Sequence, residues 1–457
     1  MLEPQSTLLF VLLILGFGGL MYWMLQARRT VLRIVAAVLG FVLAMQVGVL
    51  AVNRYFDYYP TWGAAVVDLT NPGPTVAQIS DKSLVNGSYG KSVVPTPVDQ
   101  FLAMRQGFTF QVAMPGRLSH ISRLGLVYLP PQYFQPQYRH YRFPVIELIH
   151  GQPGVPQDWI NVAGAAAMLD QLVQSRRAKP AVLVMPDANG GQRVSLQCLD
   201  LRHGPADMTY LGKDVPADVE AMLVGHVQPV GQAWGIAGYS EGGYCAANIA
   251  LHMRSSYGFA GVLSGYYVPQ PSDVVASGQQ VDPFASKRQR YANSPLAEVK
   301  SLRPGTVIPQ FWVGAGASDR ADVQAADYFV QLLALYQVLP PVHVAPGGHT
   351  MGVWRAQLPA MLRWMTTNLA QAALVAHEHA VAVSRQRRLL CGRLPVGHTK
   401  LVISRYLGRG ILPIRPRARP SARPPAGPSA RPSARPSAYP TPRASCPART
   451  PQPPAHN

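Results

Sequence analysis

Ala233-Trp-Gly-Ile-Ala-Gly-Tyr-Ser-Glu-Gly-Gly-Tyr-Cys-Ala-Ala-Asn-Ile-Ala250 runs from an apolar segment through a GxSxG pentapeptide at 238–242 into an alanine-rich helical pattern. The order strand, tight turn, helix is that of a nucleophile elbow, in which a serine is held in a strained backbone conformation between the two elements. Glycines flank it because a Cβ on either side would meet the neighbouring strand and helix. Ser240 is therefore expected at the top of a sheet, open to a reacting group. The helix that follows aims its unpaired N-terminal N–H groups, and the positive end of its dipole, at any oxygen that gains negative charge there. The pentapeptide alone is a weak signal. The apolar run before it and the helix-forming run after it carry the reading.

Outward from the elbow the pattern is regular. Residues 108–114 and 124–129 alternate and predict two early, largely antiparallel strands. Apolar runs at 144–149, 181–185, 233–237, 261–263, 310–313 and 342–344 are of the buried-strand kind, with helical patterns between them at 162–172, 214–223, 245–253, 321–336 and 353–369. Strands alternating with helices predict an α/β domain, a mostly parallel sheet with helices on both faces, whose active site lies at the carboxyl ends of the strands.

Three pieces of chemistry fall at those ends. His150-Gly-Gln-Pro-Gly154 follows one strand and is a turn suited to an oxyanion hole, with the backbone N–H of Gln152 paired to that of Glu241, the residue after the nucleophile. Gly314-Ala-Gly-Ala-Ser-Asp319 follows another, and Asp319 is the expected carboxylate that orients the catalytic histidine. Asp322, three residues on, and Asp187, at the end of its own strand, are the alternatives. Pro346-Gly-Gly-His-Thr350 follows the last strand and places His349 in a loop. His343 lies within that strand, His252 is too close to Ser240 along one helix, His120, His140, His150, His203 and His226 precede the elbow, and His377, His379, His398 and His456 lie outside the folded part. Ser240, Asp319 and His349, in that chain order and on successive loops, give the order of the α/β-hydrolase fold. The histidine would take the serine proton, the carboxylate would fix its tautomer, and an acyl-enzyme would follow. No His or Cys pair in this region has ligand spacing, so neither a metal nor a cofactor is expected. Cys198 and Cys245 are the two cysteines here; they could pair in an oxidising compartment, but Cys245 is more simply a small buried apolar residue.

The ends of the chain differ from its body. Residues 7–25 and 34–52 are uncharged apolar runs long enough to cross a bilayer as helices, with Arg28, Arg29 and Arg33 between them. No Lys or Arg precedes the first run, which argues against a signal peptide, and the positive-inside rule keeps the arginine loop in the cytoplasm, so both ends of the hairpin face outward. Beyond position 371 lie 15 of the 41 Lys and Arg residues and a single acidic one, Glu378. This Arg, Pro, Ser and Ala-rich stretch reads either as a disordered extension touching wall or lipid headgroups, or as a shifted reading frame of GC-rich DNA. The net charge of +19 therefore says little about the body. With almost no aromatic residues interleaved, it does not point to nucleic acid. The expected division is a hairpin at 1–59, a linker with little regular structure at 60–106, a catalytic domain at 107–370 and the tail at 371–457.

The residues just quoted, with Val127-Tyr-Leu-Pro-Pro131, Asp158-Trp159, Met185-Pro-Asp187, Gly316 and Trp354, resemble the esterase family that includes esterase D (S-formylglutathione hydrolase) and the mycolyltransferase antigens of mycobacteria. With the leading hairpin and Tyr59-Pro-Thr61, the resemblance is nearest to membrane-anchored esterases of actinobacteria. It implies a serine carboxylic-ester hydrolase or acyltransferase on the outer face of the cell membrane, and the two-pass hairpin, by holding that domain near the headgroups, favours a lipid- or wall-linked ester as substrate. The chain departs from the mycolyltransferases, which carry a glutamate acid and no hairpin. The elbow also resembles that of prolyl oligopeptidases, but no propeller-like repeats precede position 108. A non-enzymatic wall-binding role is disfavoured by the complete Ser, Asp and His set.

Overall fold

The computed structural model describes residues 2–70, 97–191, 194–271, 274–276, 279–280, 283–284 and 286–392. The chain divides into two units, Met1–Val375 and Ala376–Asn457, and the fold and site below belong to the first. Eight strands form one sheet: β1 (Phe108–Pro115), β2 (Ser122–Leu129), β3 (Val145–Ile149), β4 (Val182–Met185), β5 (Gly231–Tyr239), β6 (Tyr257–Leu263), β9 (Gln310–Gly316) and β10 (Val342–Ala345). A two-residue pair, β7 (Val275–Ala276) with β8 (Gln279–Gln280), lies apart from it. The sheet order is β1-β2-β4-β3-β5-β6-β9-β10, with β1 and β2 antiparallel to their neighbours and the other six strands parallel. This is the α/β-hydrolase fold expected from the alternation of apolar runs and helical patterns.

Side chains alternate between the two faces because the strand period is two. Phe311 and Val313 of β9 enter the apolar layer under the helices Glu241–His252 and Arg320–Leu333, while Trp312 enters the opposite layer, under the helix Ala165–Gln174 and the first turns of the last helix. The register brings the strand ends level: Ile149 pairs with Gly238, Tyr239 with Leu263, Leu263 with Gly314 and Gly316 with Ala345. β4 and β5 leave β3 in opposite directions across the sheet. The crevice outside the ends of β3 and β5 is thus a switch point, where ligands of such sheets bind.

At the N-terminus α1 (Thr7–Gln26) and α2 (Thr30–Phe56) pair as a hairpin, both long and apolar enough by length and composition to cross a membrane. Arg33 closes the turn by donating from Nε to the Ala27 carbonyl at 2.7 Å.

At two places the helices extend beyond the expected pattern. The segment 60–106 carries regular structure at both ends, as helices Trp62–Thr70 and Pro97–Gln106. Thr61 accepts from the Ala64 N–H at 3.1 Å, and Pro97 heads the second helix, where its missing N–H removes no helical bond. The last helix, Met351–Gly392, runs well past position 371. Good helix formers continue without glycine or an interrupting proline from 371 to Leu390, so the charged composition beyond 371 does not coincide with the end of the helix. The rest of the tail, from 393 onward, lies outside the described residues.

Candidate active site

Ser240 stands between β5 and the helix Glu241–His252 with φ 56° and ψ −123°, a region that side chains other than glycine rarely occupy and that carries roughly 1–3 kcal/mol of strain. The strain is held by close packing of backbone on backbone. A Cβ at Gly238 would fall 2.1 Å from the Gly242 carbonyl oxygen, and one at Gly242 would fall 2.2 Å from that of Ile149, at the end of β3. The Ser240 N–H donates to the Leu263 carbonyl at 2.9 Å, tying the elbow to β6 as well.

His349 joins two loops. Its Nε2 lies 2.9 Å from Ser240 Oγ and its Nδ1 lies 2.8 Å from Asp322 Oδ2. Asp319 Oδ2 is also close, at 3.4 Å from the same Nδ1. The sequence pattern favours Asp319; the structure brings both aspartates to the ring and gives the shorter contact to Asp322. The reason is local. Asp319 is the N-cap of the helix Arg320–Leu333, and its Oδ1 accepts from the Asp322 N–H at 3.1 Å. One oxygen of its carboxylate is thus engaged by the helix, while Asp322, in the first turn, is left to face the imidazole. The two loops are zipped together by backbone hydrogen bonds from Ala317 N to Ala345 O and from Ser318 N to Gly347 O, both 2.8 Å. Gly316 permits this, since a Cβ there would fall 2.3 Å from the Gly348 carbonyl. Asp187, the other alternative, accepts from the N–H groups of Asn189 and Gly190 in its own turn.

Burial alone would lower the His349 pKa, but the hydrogen bond and charge of Asp322, then those of Asp319, outweigh it and the net shift is upward. The Asp322 carboxyl is itself pushed up, first by burial and then by Asp319, against the pull of His349. Asp319, Asp322 and His349 also form the one group among the described residues whose ligand atoms, within 4.8 Å of one another, could hold a metal ion. The imidazole they would share is already directed at Asp322 on one side and Ser240 on the other.

The expected oxyanion turn lies against Ser240: a Cβ at Gly151 would come 3.1 Å from Ser240 Cβ. His150 is buried and fixes this turn. The Ala188 N–H donates to its Nε2 at 3.0 Å, so its Nδ1 carries the proton and donates to the Gly151 carbonyl at 2.8 Å. Gln152, preceding a cis proline, accepts at Oε1 from Asn189 Nδ2 at 3.3 Å. Asn189 Nδ2 also reaches Glu241 Oε1 at 3.0 Å, and Ser195 Oγ donates to Glu241 Oε2 at 2.6 Å. The buried Glu241 carboxyl is pushed up by desolvation, opposed by these two donors.

Sequence reasoning misses the Glu241 side chain, Asn189 and Ser195, since nothing in their spacing signals contact. It also leaves Cys198 and Cys245 open, with preference for unpaired burial. They form a disulfide with Cα atoms 5.5 Å apart across 47 positions, and it fastens the segment holding Ser195 to the elbow helix. The Gln197 side chain binds the backbone of Gln270 from both sides, through Nε2 to the carbonyl at 2.7 Å and from the N–H to Oε1 at 2.9 Å.

Behind the site runs a column of rings: Trp159 against Tyr239 at 5.0 Å, Tyr239 stacked on Trp354 at 4.7 Å, and Trp354 edge-on to His349 at 5.1 Å. The buried Asp158 carboxylate accepts from Tyr239 Oη at 3.3 Å and from the Val155 N–H at 3.0 Å. It thereby connects the residue before Ser240 to the end of the oxyanion turn.

The family profile described as "Putative esterase" matches residues 122–365, just over half of the chain. An uncharacterized protein of Corynebacterium glutamicum is 24% identical over 374 residues, covering 79% of this chain and 82% of that one. Among solved structures, a ferulic acid esterase is similar at 20% identity and TM-score 0.49, over 58% of this chain and 99% of its own. A fluorophosphonate-binding serine hydrolase of Staphylococcus aureus is similar at 17% identity and TM-score 0.47, over 57% and 98%. With the family profile spanning the sheet from β2 to the last helix and enclosing the elbow, the chain belongs to this esterase family of α/β hydrolases and is a carboxylic-ester hydrolase.

Proposed function

We propose that the protein is a membrane-anchored serine esterase whose catalytic residues are Ser240, His349 and Asp322, with Asp319 as a second carboxylate on the histidine. The observation that carries this is the position of His349, in hydrogen-bond reach of Ser240 Oγ at 2.9 Å and of Asp322 at 2.8 Å. As Ser240 Oγ attacks the ester carbonyl, its proton passes to His349 Nε2, and the imidazolium is stabilised by the two aspartates. The carbonyl oxygen becomes an oxyanion facing the backbone N–H groups of Gln152 and Glu241, each such donor contributing on the order of 10²–10³ in rate. His349 then returns the proton to the leaving alkoxide. Water, deprotonated by the same nitrogen, attacks the acyl-serine, and the carboxylic acid leaves as the serine recovers its proton. Labelling by a fluorophosphonate, lost in Ser240→Ala, tests this; retained labelling in that variant would refute it.

In this reading the hairpin spans the membrane and the catalytic body lies outside the cytoplasm. The short loop bearing Arg28 and Arg29 supports this orientation, and so does the disulfide, since such bonds persist in oxidising compartments. The substrate is an ester of the envelope, lipid- or wall-linked, for which tethering raises the effective concentration. A phosphatase reporter after Tyr59 should be active; an inactive one would put the body in the cytoplasm.

A further inference from the structure

The chain leaves α2 at Phe56 and meets the catalytic body within two residues. Asp57 closes the helix in the left-handed conformation, with φ 49°. Asn53, in the last turns of α2, grips the Tyr59 backbone from both sides, accepting from its N–H at 2.8 Å and donating to its carbonyl at 3.0 Å. The strap so formed makes two contacts with the site. Arg355 Nη2 donates to the carbonyls of Asp57 and Tyr58, each at 3.1 Å. Tyr58 Oη donates to Asp158 Oδ1, and desolvation in that contact, followed by the Asp158 charge, pushes the phenol well above its ordinary range. The Asp57 carboxylate fills the space beside Gly352, where a Cβ would overlap it at 1.5 Å.

Each contact leads directly to a reacting group. Asp158 is the carboxylate shared by Tyr239, the residue before Ser240, and by Val155 beyond the oxyanion turn. Arg355 follows Trp354, whose ring holds the His349 imidazole edge-on, and Gly352 lies three residues after His349. Tyr58 and Tyr59 pack on the same apolar layer as Trp159, Tyr239 and Trp354.

We propose that residues 57–59 are a positioning part of the active site, so that the hairpin sets the turnover number as well as the location. This rests on the serine-esterase reading above. Tyr58 acts through Asp158 on the oxyanion turn and the nucleophile, and Arg355 acts through Trp354 on the histidine. Both are thus positioning residues, assigned no contact with substrate. Misplacement of catalytic groups by an ångström from such a remote change can cost on the order of 100-fold in rate.

The test uses the full chain in detergent micelles with soluble p-nitrophenyl butyrate, which removes any effect of membrane partitioning. Tyr58→Phe keeps the ring and its packing and deletes the hydroxyl; Arg355→Lys keeps the charge and loses the two-carbonyl grip. Each is expected to lower kcat by about tenfold with KM within about twofold, and to slow fluorophosphonate labelling by the same factor. The acid limb of the pH profile should stay in place, because the carboxylates on His349 are untouched. Wild-type kcat and labelling rates in both variants, even with lowered melting temperatures, would reduce the strap to a mechanical tether and overturn the proposal. Absence of labelling in the unaltered protein would instead sink the esterase reading, and this proposal with it.

Discussion

Ser240 stands on a framework of backbone against backbone, whereas His349 stands on a partly exposed loop beside two carboxylates. On the nucleophile side Gly238 and Gly242 leave no room for a Cβ, and Glu241, Asn189 and Ser195 saturate one another in a buried network. On the histidine side the imidazole is 38% exposed and its partners, Asp319 and Asp322, lie at 3.4 and 2.8 Å. The difference teaches that one half of the proposed triad is located by sterics, while in the other the orientation of the ring is set by charge. Steric placement admits no substitute. Electrostatic placement admits a graded one, because a carboxylate at 3.4 Å in place of 2.8 Å still favours the imidazolium.

The comparison can be broken most directly at the elbow. Ser240→Ala should reduce kcat by about 10⁶-fold with the fold intact, and Gly242→Ala should yield protein that is inactive or fails to fold. An active Gly242→Ala enzyme would show the elbow to be softer than described. On the other side Asp322→Asn should cost on the order of 10⁴ in kcat, while Asp319→Asn, which leaves the 2.8 Å partner in place, should cost about tenfold. The reverse ranking would return the orienting role to Asp319. Equal losses would mean that the two act as a unit.

Smaller effects sharpen the same contrast. Replacing Cys198 and Cys245 together by Ser should lower stability by about 2–4 kcal/mol, read by denaturant unfolding, and it should lower activity at ambient temperature far less. A collapse of kcat without loss of stability would make the disulfide part of the nucleophile framework rather than its fastening. Protonated His349 cannot accept the serine proton, so activity is lost as pH falls through its pKa. Since the carboxylates raise that pKa on balance, the acid limb should lie above the ordinary histidine value of about 6.5. Asp319→Asn removes one of the raising charges and should move the limb to lower pH; an unmoved limb would exclude Asp319 from the electrostatics of the ring.

The parts legible in the sequence are those governed by local pattern. The runs around Ile146, Trp234 and Val313 announce buried strands because a sheet covered on both faces favours near-continuous apolar residues, the buried Glu147 being an exception, and the loops after them follow. Ser240 is readable because a serine between glycines on a strand-to-helix turn is a strained arrangement that folding alone does not require. His349 is readable because it follows a glycine pair just past the last strand, on the side of the elbow where the chain order needs a base. Asp319 and Asp322 could not be separated by pattern. They lie three apart at the start of one helix, as its N-cap and a residue of its first turn, and the choice between them depends on which carboxylate the helix N–H engages. The Cys198 to Cys245 bond and the reach of Tyr58 to Asp158 join positions 47 and 100 apart. Separation in sequence carries no information about such meetings until the sheet order brings the strands together.

The docking of residues 57–59 bears finally on how the enzyme finds its substrate. A domain on a long slack leash samples a volume, and its encounters scale with bulk concentration. Here Arg355 and Asp158 grip the chain immediately after α2, so a body anchored in a bilayer is restricted to travelling in the plane with its hairpin. With the hairpin in a bilayer, as proposed, search becomes two-dimensional. Turnover on a lipid ester should then follow its mole fraction in the leaflet, falling when inert lipid is added at constant total ester.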